Sequence, residues 1–329
     1  MYDYKDIRNI HLEVTSKCQA RCPMCPRRLA GGPMQPFVEL AEIDLDTFKK
    51  WFPIDFIKQL GHLNMCGNLG DPIIAKDTLE IFRYLREVNP NIGLQMHTNG
   101  SARSEKWWRE LAGLEVFVVF GIDGLADTHS IYRIDTDWDR IITNAKIFIE
   151  NGGSARWDMI VFSHNEHQVD ACKELSQQLG FKDFTVKHTS RFKDGEFPVL
   201  DDRGKKIYTL YPTSKSESMI PKIKSSIKEE LPTISCKAKS DSMLYISATG
   251  NVTPCCWLDL EWVPPTSFSR IDYLDKIDVF PNLNDQSLQE IFDSDYFNKI
   301  ERTWNTCGLK ECGKQCGSFD RQKAQYVNE

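Results

Sequence analysis

The chain has 329 residues, a net charge of −6 and 11 cysteines, and its charges of both signs are interspersed. This length can bury a real core and suggests one large unit with a smaller companion; the mild, mixed charge gives no electrostatic footprint for nucleic acid. The N-terminal Met1-Tyr2-Asp3-Tyr4-Lys5-Asp6 has no basic-then-apolar export pattern, and the longest apolar run, near 116–120, is too short to span a bilayer. We therefore expect no membrane partner and a cytoplasmic, reducing location, where many cysteines favour metal over disulfides.

The first strand-like run, 10–14, leads straight into Cys18-Gln-Ala-Arg-Cys22-Pro-Met-Cys25. Three thiolates on one short loop can hold three corners of a cubane iron–sulfur cluster, which normally takes four, so one iron stays open to a small molecule. Structural zinc takes four ligands, usually as C-x2-C pairs, and fits the triplet poorly. A thioredoxin-type reading of Cys22-Pro-Met-Cys25 leaves Cys18 unexplained. After the loop, 27–41 carries Gly31-Gly32-Pro33 and Pro36 and reads as a surface excursion able to cover a site.

From 10 to about 190, aliphatic runs alternate with helical patterns, as in parallel βαβ units. Strands are expected near 10–14, 60–66, 92–98, 115–122, 156–162 and 184–187, and helices near 46–51, 77–88, 104–111, 138–151 and 168–179. Ser104 reads as an N-cap, and Gly152-Gly153 and Gly180 as helix stops. Six units are fewer than the eight of a full barrel, but the rule that chemistry gathers at C-terminal strand ends still applies. Those ends are polar or glycine-rich. They read Gly67-Asn68-Leu69-Gly70-Asp71-Pro72, His97-Thr98-Asn99-Gly100, Gly121-Ile122-Asp123-Gly124 (with His129 and Tyr132-Arg133 beyond), Ser163-His164-Asn165-Glu166, and Lys187-His188-Thr189-Ser190-Arg191. Several also read as plain turns, Asn-Gly above all, and Arg133 also as a surface ion pair.

Residues 193–235 are rich in Pro and Lys and read as a linker with local helix near 220–231. From Cys236 a smaller unit begins. Runs 243–247 and 252–253 flank Ala248-Thr249-Gly250-Asn251 as a hairpin whose turn needs Gly250 at positive φ. Ser287-Leu288-Gln289-Glu290 is a capping box opening a helix to about 304, and Cys307, Cys312 and Cys316 follow it. Cys256, beside Cys255, would point the opposite way in a strand and reads as structural. Cys66 and Cys172 read as buried apolar thiols.

C-x3-C-x2-C after a first strand, together with these strand ends, resembles the radical S-adenosylmethionine (SAM) superfamily. The resemblance implies an α/β fold: an incomplete (β/α)6 TIM-type barrel over 1–192, a linker over 193–235, and a small C-terminal α+β auxiliary-cluster unit over 236–329. It implies a [4Fe-4S] cluster on Cys18, Cys22 and Cys25, with SAM on the open iron. Reductive cleavage of SAM then yields methionine and a 5′-deoxyadenosyl radical that abstracts hydrogen from a substrate. Gly70-Asp71 is similar to the family's Gly-Gly-Glu-Pro segment that bonds the SAM amino group, with Asp71 where Glu is usual. Asn99 and Asp123 match positions bordering the SAM pocket, and Asn165 is a candidate ribose contact. Arg133 suits the methionine carboxylate.

Cys236…Gly250-x4-Cys255 with a terminal cysteine group resembles the family's SPASM or twitch extension. It implies one auxiliary [4Fe-4S] cluster on Cys236, Cys255, Cys312 and Cys316, with Cys307 as substitute ligand; zinc would accept the same thiolates. The resemblance further implies an external reductant of the flavodoxin or ferredoxin kind and a peptide or small-molecule substrate. Two alternatives stay open: dehydrogenation of a small sugar or alcohol, and a non-catalytic electron-transfer or sensing protein, which would explain the cysteines but not the strand ends.

Overall fold

Each expected βα strand forms where its aliphatic run lies. The computed structural model describes residues 1–192, 194–215, 233–261, 263–306, 308–317 and 326–328. Strands β1 (Asn9–Leu12), β2 (His62–Met65), β3 (Gly93–Thr98), β4 (Val116–Gly121), β5 (Ser154–Ile160) and β6 (Asp183–Thr189) pair in parallel in sequence order. Alternation sets the faces: Ile10, Leu12, Leu63, Met65, Leu94 and Met96 are buried while their neighbours face elsewhere. Helices α1 (Leu45–Trp51), α2 (Ile54–Gln59), α3 (Thr78–Val88), α4 (Glu105–Ala112), α5 (His129–Tyr132), α6 (Trp138–Glu150) and α7 (Val169–Gln178) fill the crossovers. Asp44, Ser104 and Asp137 cap α1, α4 and α6 by accepting from Thr47 N at 2.8 Å, Trp107 N at 3.4 Å and Arg140 N at 3.1 Å. Trp108, Phe120, Phe148, Trp157 and Phe181 form an aromatic core between these helices and the sheet.

Three features go beyond the sequence reading. The C-terminal hairpin is not a separate piece: β9 (Met243–Ile246) lies parallel to β1, Leu244 opposite Ile10, and β10 (Val252–Thr253) returns antiparallel. At the far edge β11 (Tyr326–Asn328) pairs antiparallel with β6, so the nine-stranded sheet ends at β10 and β11 and stays open, an incomplete barrel. Gly250 sits at φ +96°, as its turn requires. Within 193–235, the stretch read as a linker, β7 (Phe197–Leu200) and β8 (Lys206–Leu210) form an antiparallel hairpin. Its Val199 and Leu210 join Met24, Tyr132, Ile160, Phe162 and Phe192 in a second apolar cluster, so the hairpin packs beside the cysteine loop. The expected helix near 220–231 lies outside the described residues, as does Cys307.

The excursion after the cysteine loop is pinned rather than free: Leu29 N donates to Pro33 O at 2.9 Å, Leu200 N to Ala30 O at 2.9 Å, and Ser16 Oγ to Glu39 O at 2.7 Å. Four short helices complete the C-terminal unit after the hairpin: α9 (Phe268–Ile277), α10 (Leu288–Asp293), α11 (Tyr296–Thr303) and α12 (Lys310–Cys316), preceded by the single turn α8 (Lys237–Ser240). The capping box at Ser287 and Glu290 forms, but the helix it opens ends at Asp293 instead of running to 304. Ser294 turns extended and its hydroxyl accepts from Tyr296 N at 3.3 Å, which starts a new helix.

Candidate active site

The cysteine loop lies over the C-terminal ends of β1–β4, and Cys18, Cys22 and Cys25 line one cavity of about 480 Å³ together with Gly70, Asp71, Asn99 and Arg133. All three thiols are unpaired. Local bonds fix the loop: the buried Arg27 donates to Cys18 O and to Ala20 O at 3.1 Å, and Arg191 Nη1 to Met24 O at 2.7 Å. Strand ends reach the loop directly. Gln19 Nε2 donates to Asn99 Oδ1 at 2.7 Å, Asn99 Nδ2 lies 3.7 Å from Cys18 Sγ, and Arg133 Nη1 lies 3.9 Å from Cys22 Sγ. Burial pushes the Cys22 thiol up to about 11 despite the neighbouring Arg133, so thiolate ligation there depends on a cation such as iron.

Asp71 is buried and receives four donors. Oδ1 accepts from Thr98 Oγ1 at 2.8 Å and Ile73 N at 3.1 Å; Oδ2 accepts from Asn99 N at 2.7 Å and Asn99 Nδ2 at 2.6 Å. These use its lone-pair sites, so the shorter carboxylate clamps the end of β3 and aims Asn99 at the cysteine loop. Gly70 is required sterically, because a Cβ there would meet Thr15 O at 1.7 Å, just ahead of the cysteine loop. Gly70→Ala is expected to cost at least the ~1–3 kcal/mol of ordinary overpacking and to weaken SAM retention; thermal unfolding and equilibrium dialysis check both.

Asp123 is fully buried and pairs with Arg133 Nε at 2.6 Å, which fixes the guanidinium at the cavity wall. Burial pushes the Asp123 carboxyl up, against the pull of Arg133. Asn165 does not reach the cavity. Its amide is spent on the backbone: Oδ1 accepts from Phe162 N at 2.7 Å and Nδ2 donates to Asp123 O at 3.1 Å and Ile160 O at 3.0 Å. The expected ribose contact is thus replaced by a brace between the ends of β4 and β5. His164 stacks on Phe162 with ring centroids 5.3 Å apart.

Sequence reasoning missed His11, Cys66 and Cys256, which also line the cavity. His11 Nε2 donates to Cys66 O. Cys66 and Cys256, read from sequence as structural thiols, face the same space as the cysteine loop. A deeper chamber of about 330 Å³ continues to His97, Asp158 and Lys187. There Asp158 pairs with Arg156 at 2.7 Å and Lys187 at 2.6 Å; burial alone would raise its carboxyl, but the two cations hold it below its ordinary value.

Buried histidines make stability depend on pH. Burial pushes His129 down to about 3 and His97 to about 4, in each case with help from a nearby cation. His129 Nδ1 accepts from Asp123 N at 3.1 Å, so protonating it breaks that bond. The unfolded chain takes up these protons near the ordinary pKa of about 6.5, whereas the folded chain refuses them until about 4 and 3. Stability is therefore full above about pH 6.5 and falls as the pH drops toward those folded values. Urea unfolding midpoints across that window are expected to decline more steeply for wild type than for His129→Gln.

On the other side of the hairpin, Cys236, Cys255, Cys312 and Cys316 line a small apolar pocket with Trp257, Trp304 and Ile300. Cys312 is buried, and the Cys236 and Cys316 thiols are hydrogen-bonded. Among the described residues no three His, Cys, Asp or Glu side chains close on one point as a single ion needs. Four thiols around one pocket offer the ligand set that either a four-thiolate cluster or a zinc ion takes.

Two family models match this chain: the radical SAM superfamily over residues 12–175, and SPASM, an iron–sulfur cluster-binding domain, over residues 236–317. The chain belongs to the radical SAM superfamily. As a radical SAM protein with a SPASM domain it uses a [4Fe-4S] cluster that binds SAM, and auxiliary iron–sulfur ligation in its C-terminal unit. Its curated relatives are distant. It is 26% identical over 131 residues to the tungsten-containing aldehyde ferredoxin oxidoreductase cofactor-modifying protein of Pyrococcus furiosus, covering 39% of this chain and 34% of that one. It is 26% identical over 193 residues to the FeMo cofactor biosynthesis protein NifB of Methanocaldococcus jannaschii, covering 51% and 63%. The chain thus spans between a third and just under two thirds of these relatives. Among solved structures, Streptococcus suis SuiB shares the fold at TM-score 0.58 and 16% identity, covering 93% of this chain and 72% of that one. A structure of anSMEcpe with bound AdoMet does so at TM-score 0.57 and 16% identity, covering 90% and 79%. No helix among the described residues is long and apolar enough to cross a membrane.

Proposed function

We propose that this radical SAM protein abstracts a hydrogen atom from a peptide substrate at the barrel mouth, SAM lying against Gly70, Asn99 and Arg133. The observation that carries this reading is the single open cavity holding the three loop cysteines and these strand-end residues. When bound and reduced, the cluster on Cys18, Cys22 and Cys25 supplies the electron that converts SAM to methionine and a 5′-deoxyadenosyl radical. The chain's own residues do the positioning. Arg133, held by Asp123 at 2.6 Å, offers its free edge to a carboxylate. Asn99, aimed by Asp71, offers an amide beside Cys18.

A peptide is favoured over a small molecule because the cavity is open and the hairpin Phe197–Leu210 packs beside it through Val199 and Leu210 on Met24, Tyr132 and Ile160. Support also comes from the relatives in the same fold: SuiB has been solved bound to the precursor peptide SuiA and anSMEcpe bound to a Cp18Cys peptide. The test is deuterium transfer. Incubated with SAM, a low-potential reductant of the flavodoxin or ferredoxin class and perdeuterated candidate peptides, the protein is expected to form deuterated 5′-deoxyadenosine with at least one of them. Labelled deoxyadenosine from deuterated sugars or alcohols alone would turn the reading to dehydrogenation of a small molecule.

A further inference from the structure

The inner face of the open barrel is polar, where a closed barrel packs branched apolar side chains. His11 lines the active-site cavity, and Asn64 and Gln95 stand beside it in register on β2 and β3. His97, two residues on from Gln95 and so on the same face, lines the deeper chamber. There β4 contributes Val119 and Gly121, small residues that leave the space open, and β5 and β6 contribute Asp158 and Lys187. The chamber shares Cys66, Gly70, Asn99 and Arg133 with the active-site cavity, which makes it that cavity's inner end. Its charges do not balance. Arg156 holds Asp158 with two bonds, Nε to Oδ1 at 2.7 Å and Nη2 to Oδ2 at 3.2 Å, a fork that already matches one carboxylate. Lys187 Nζ brings a second cation to the same group, 2.6 Å from Oδ2, and both partners are largely buried. One positive charge is left unmatched, and the remaining Lys187 N–H donors serve the chamber it lines. At the outer rim Arg133 is matched by Asp123, and Asp71 is enclosed by its four donors. His97 adds a neutral donor: its Nε2 lies 2.8 Å from Gln95 Nε2, an amide that donates, so the ring proton sits on Nδ1. Burial and the charge of Lys187 push His97 down to about 4, which keeps it neutral.

We propose that this inner chamber is a carboxylate subsite in which Lys187 and the Nδ1–H of His97 receive an acidic group of the substrate. The substrate class is then a peptide that presents an aspartate, a glutamate or its C-terminal carboxylate to the barrel interior. The inference rests on the hydrogen-abstraction reading above. A single unmatched cation suits a monoanion, whereas a phosphate group, which carries up to two charges, would leave negative charge over in the barrel. An amine or guanidinium would add to a charge already in excess. Asp158 is a positioning residue here: with Arg156 on one side of it, it holds Lys187 against the wall shared by β5 and β6. Substrate carbons adjoining a carboxylate held there lie between Lys187 and the strand-end residues proposed to hold SAM, so the hydrogen taken comes from a carbon close to the acidic group.

The test reads binding without turnover. Holoenzyme with SAM and an oxidised cluster is titrated with three probes, and affinity is measured by saturation-transfer NMR. N-acetyl-glutamate amide carries a side-chain carboxylate, N-acetyl-glutamine a terminal one, and N-acetyl-glutamine amide neither; SAM is present so that Arg133 is not the cation being probed. One carboxylate probe is expected to bind about tenfold or more tighter than the neutral amide, the size of a hydrogen bond to a charged group. Which of the two prevails assigns the acid to a side chain or to a chain end. The preference is expected to vanish in Lys187→Met, which keeps the apolar stem, and to persist in Lys187→Arg, a dependence on ligand charge that a merely structural ion pair would not produce. Circular dichroism checks the fold of both variants, and the wild-type comparison stands without them. Equal binding of the three probes, no binding of any, or a carboxylate preference that survives Lys187→Met would each overturn the proposal. Deuterium transfer is read separately. Carboxylate binding that depends on Lys187, with no deuterium passing from perdeuterated acidic peptides to deoxyadenosine, would overturn the hydrogen-abstraction reading and leave the subsite standing.

Discussion

The triple variant Cys18→Ala, Cys22→Ala, Cys25→Ala is expected to form no 5′-deoxyadenosine from SAM under reducing conditions, where the wild-type protein forms it slowly even without substrate. The loss should be complete because the three thiolates act as one unit. They are the three ligands that the loop itself brings to the iron, and the neighbouring Arg133 and Asn99 lie beside the Cys22 and Cys18 sulfurs rather than replacing them. The variant should still fold. The loop is fixed by Arg27 to the carbonyls of Cys18 and Ala20 and by Arg21 N to Ile134 O at 2.9 Å, none of which uses a thiol. Far-UV circular dichroism close to wild type, with no deoxyadenosine by chromatography, is the expected pair of results; residual deoxyadenosine would show that the loop does not hold the reactive cluster.

How much of this was legible in the sequence depends on how local each signal is. Strands β1–β6 announce themselves by aliphatic runs of five or so residues, and capped helices by Ser104 and Ser287, because these signals act within one turn or one strand. Cys18, Cys22, Cys25, Gly70, Asn99 and Arg133 sit on short motifs legible in the sequence, and strand order brings these motifs around one cavity. Asn165 was misjudged because a strand-end position does not say where an amide is spent, and here three backbone groups consume it. Cys256 and His11 were missed for a different reason. Their place at the cavity depends on β9 pairing beside β1, a contact between residues more than two hundred positions apart that nothing local encodes. Period-two alternation correctly separates Cys255 from Cys256, but the chain has already left the strand for a turn there, and the opposite side of that turn is the active-site cavity rather than the core.

Iron counting decides what the C-terminal cysteines hold. Anaerobically prepared wild-type protein is expected to contain about eight irons and the loop triple variant about four. We infer one auxiliary cluster because Cys236, Cys255, Cys312 and Cys316 line a single apolar pocket, two of them bracketing the hairpin and two on α12 one turn apart. The apolar wall favours a redox cluster shielded from solvent, since burial and hydrogen bonding at the sulfurs set cluster potentials. It also supplies the contrast that makes the count informative. A Cys312→Ala, Cys316→Ala variant should lose about four irons and keep the loop cluster, because no side chain of the loop lines the auxiliary pocket. One zinc per chain and no iron in the loop triple variant would refute the auxiliary cluster. A value nearer eight would mean that a second auxiliary cluster is present, with ligands beyond these four cysteines.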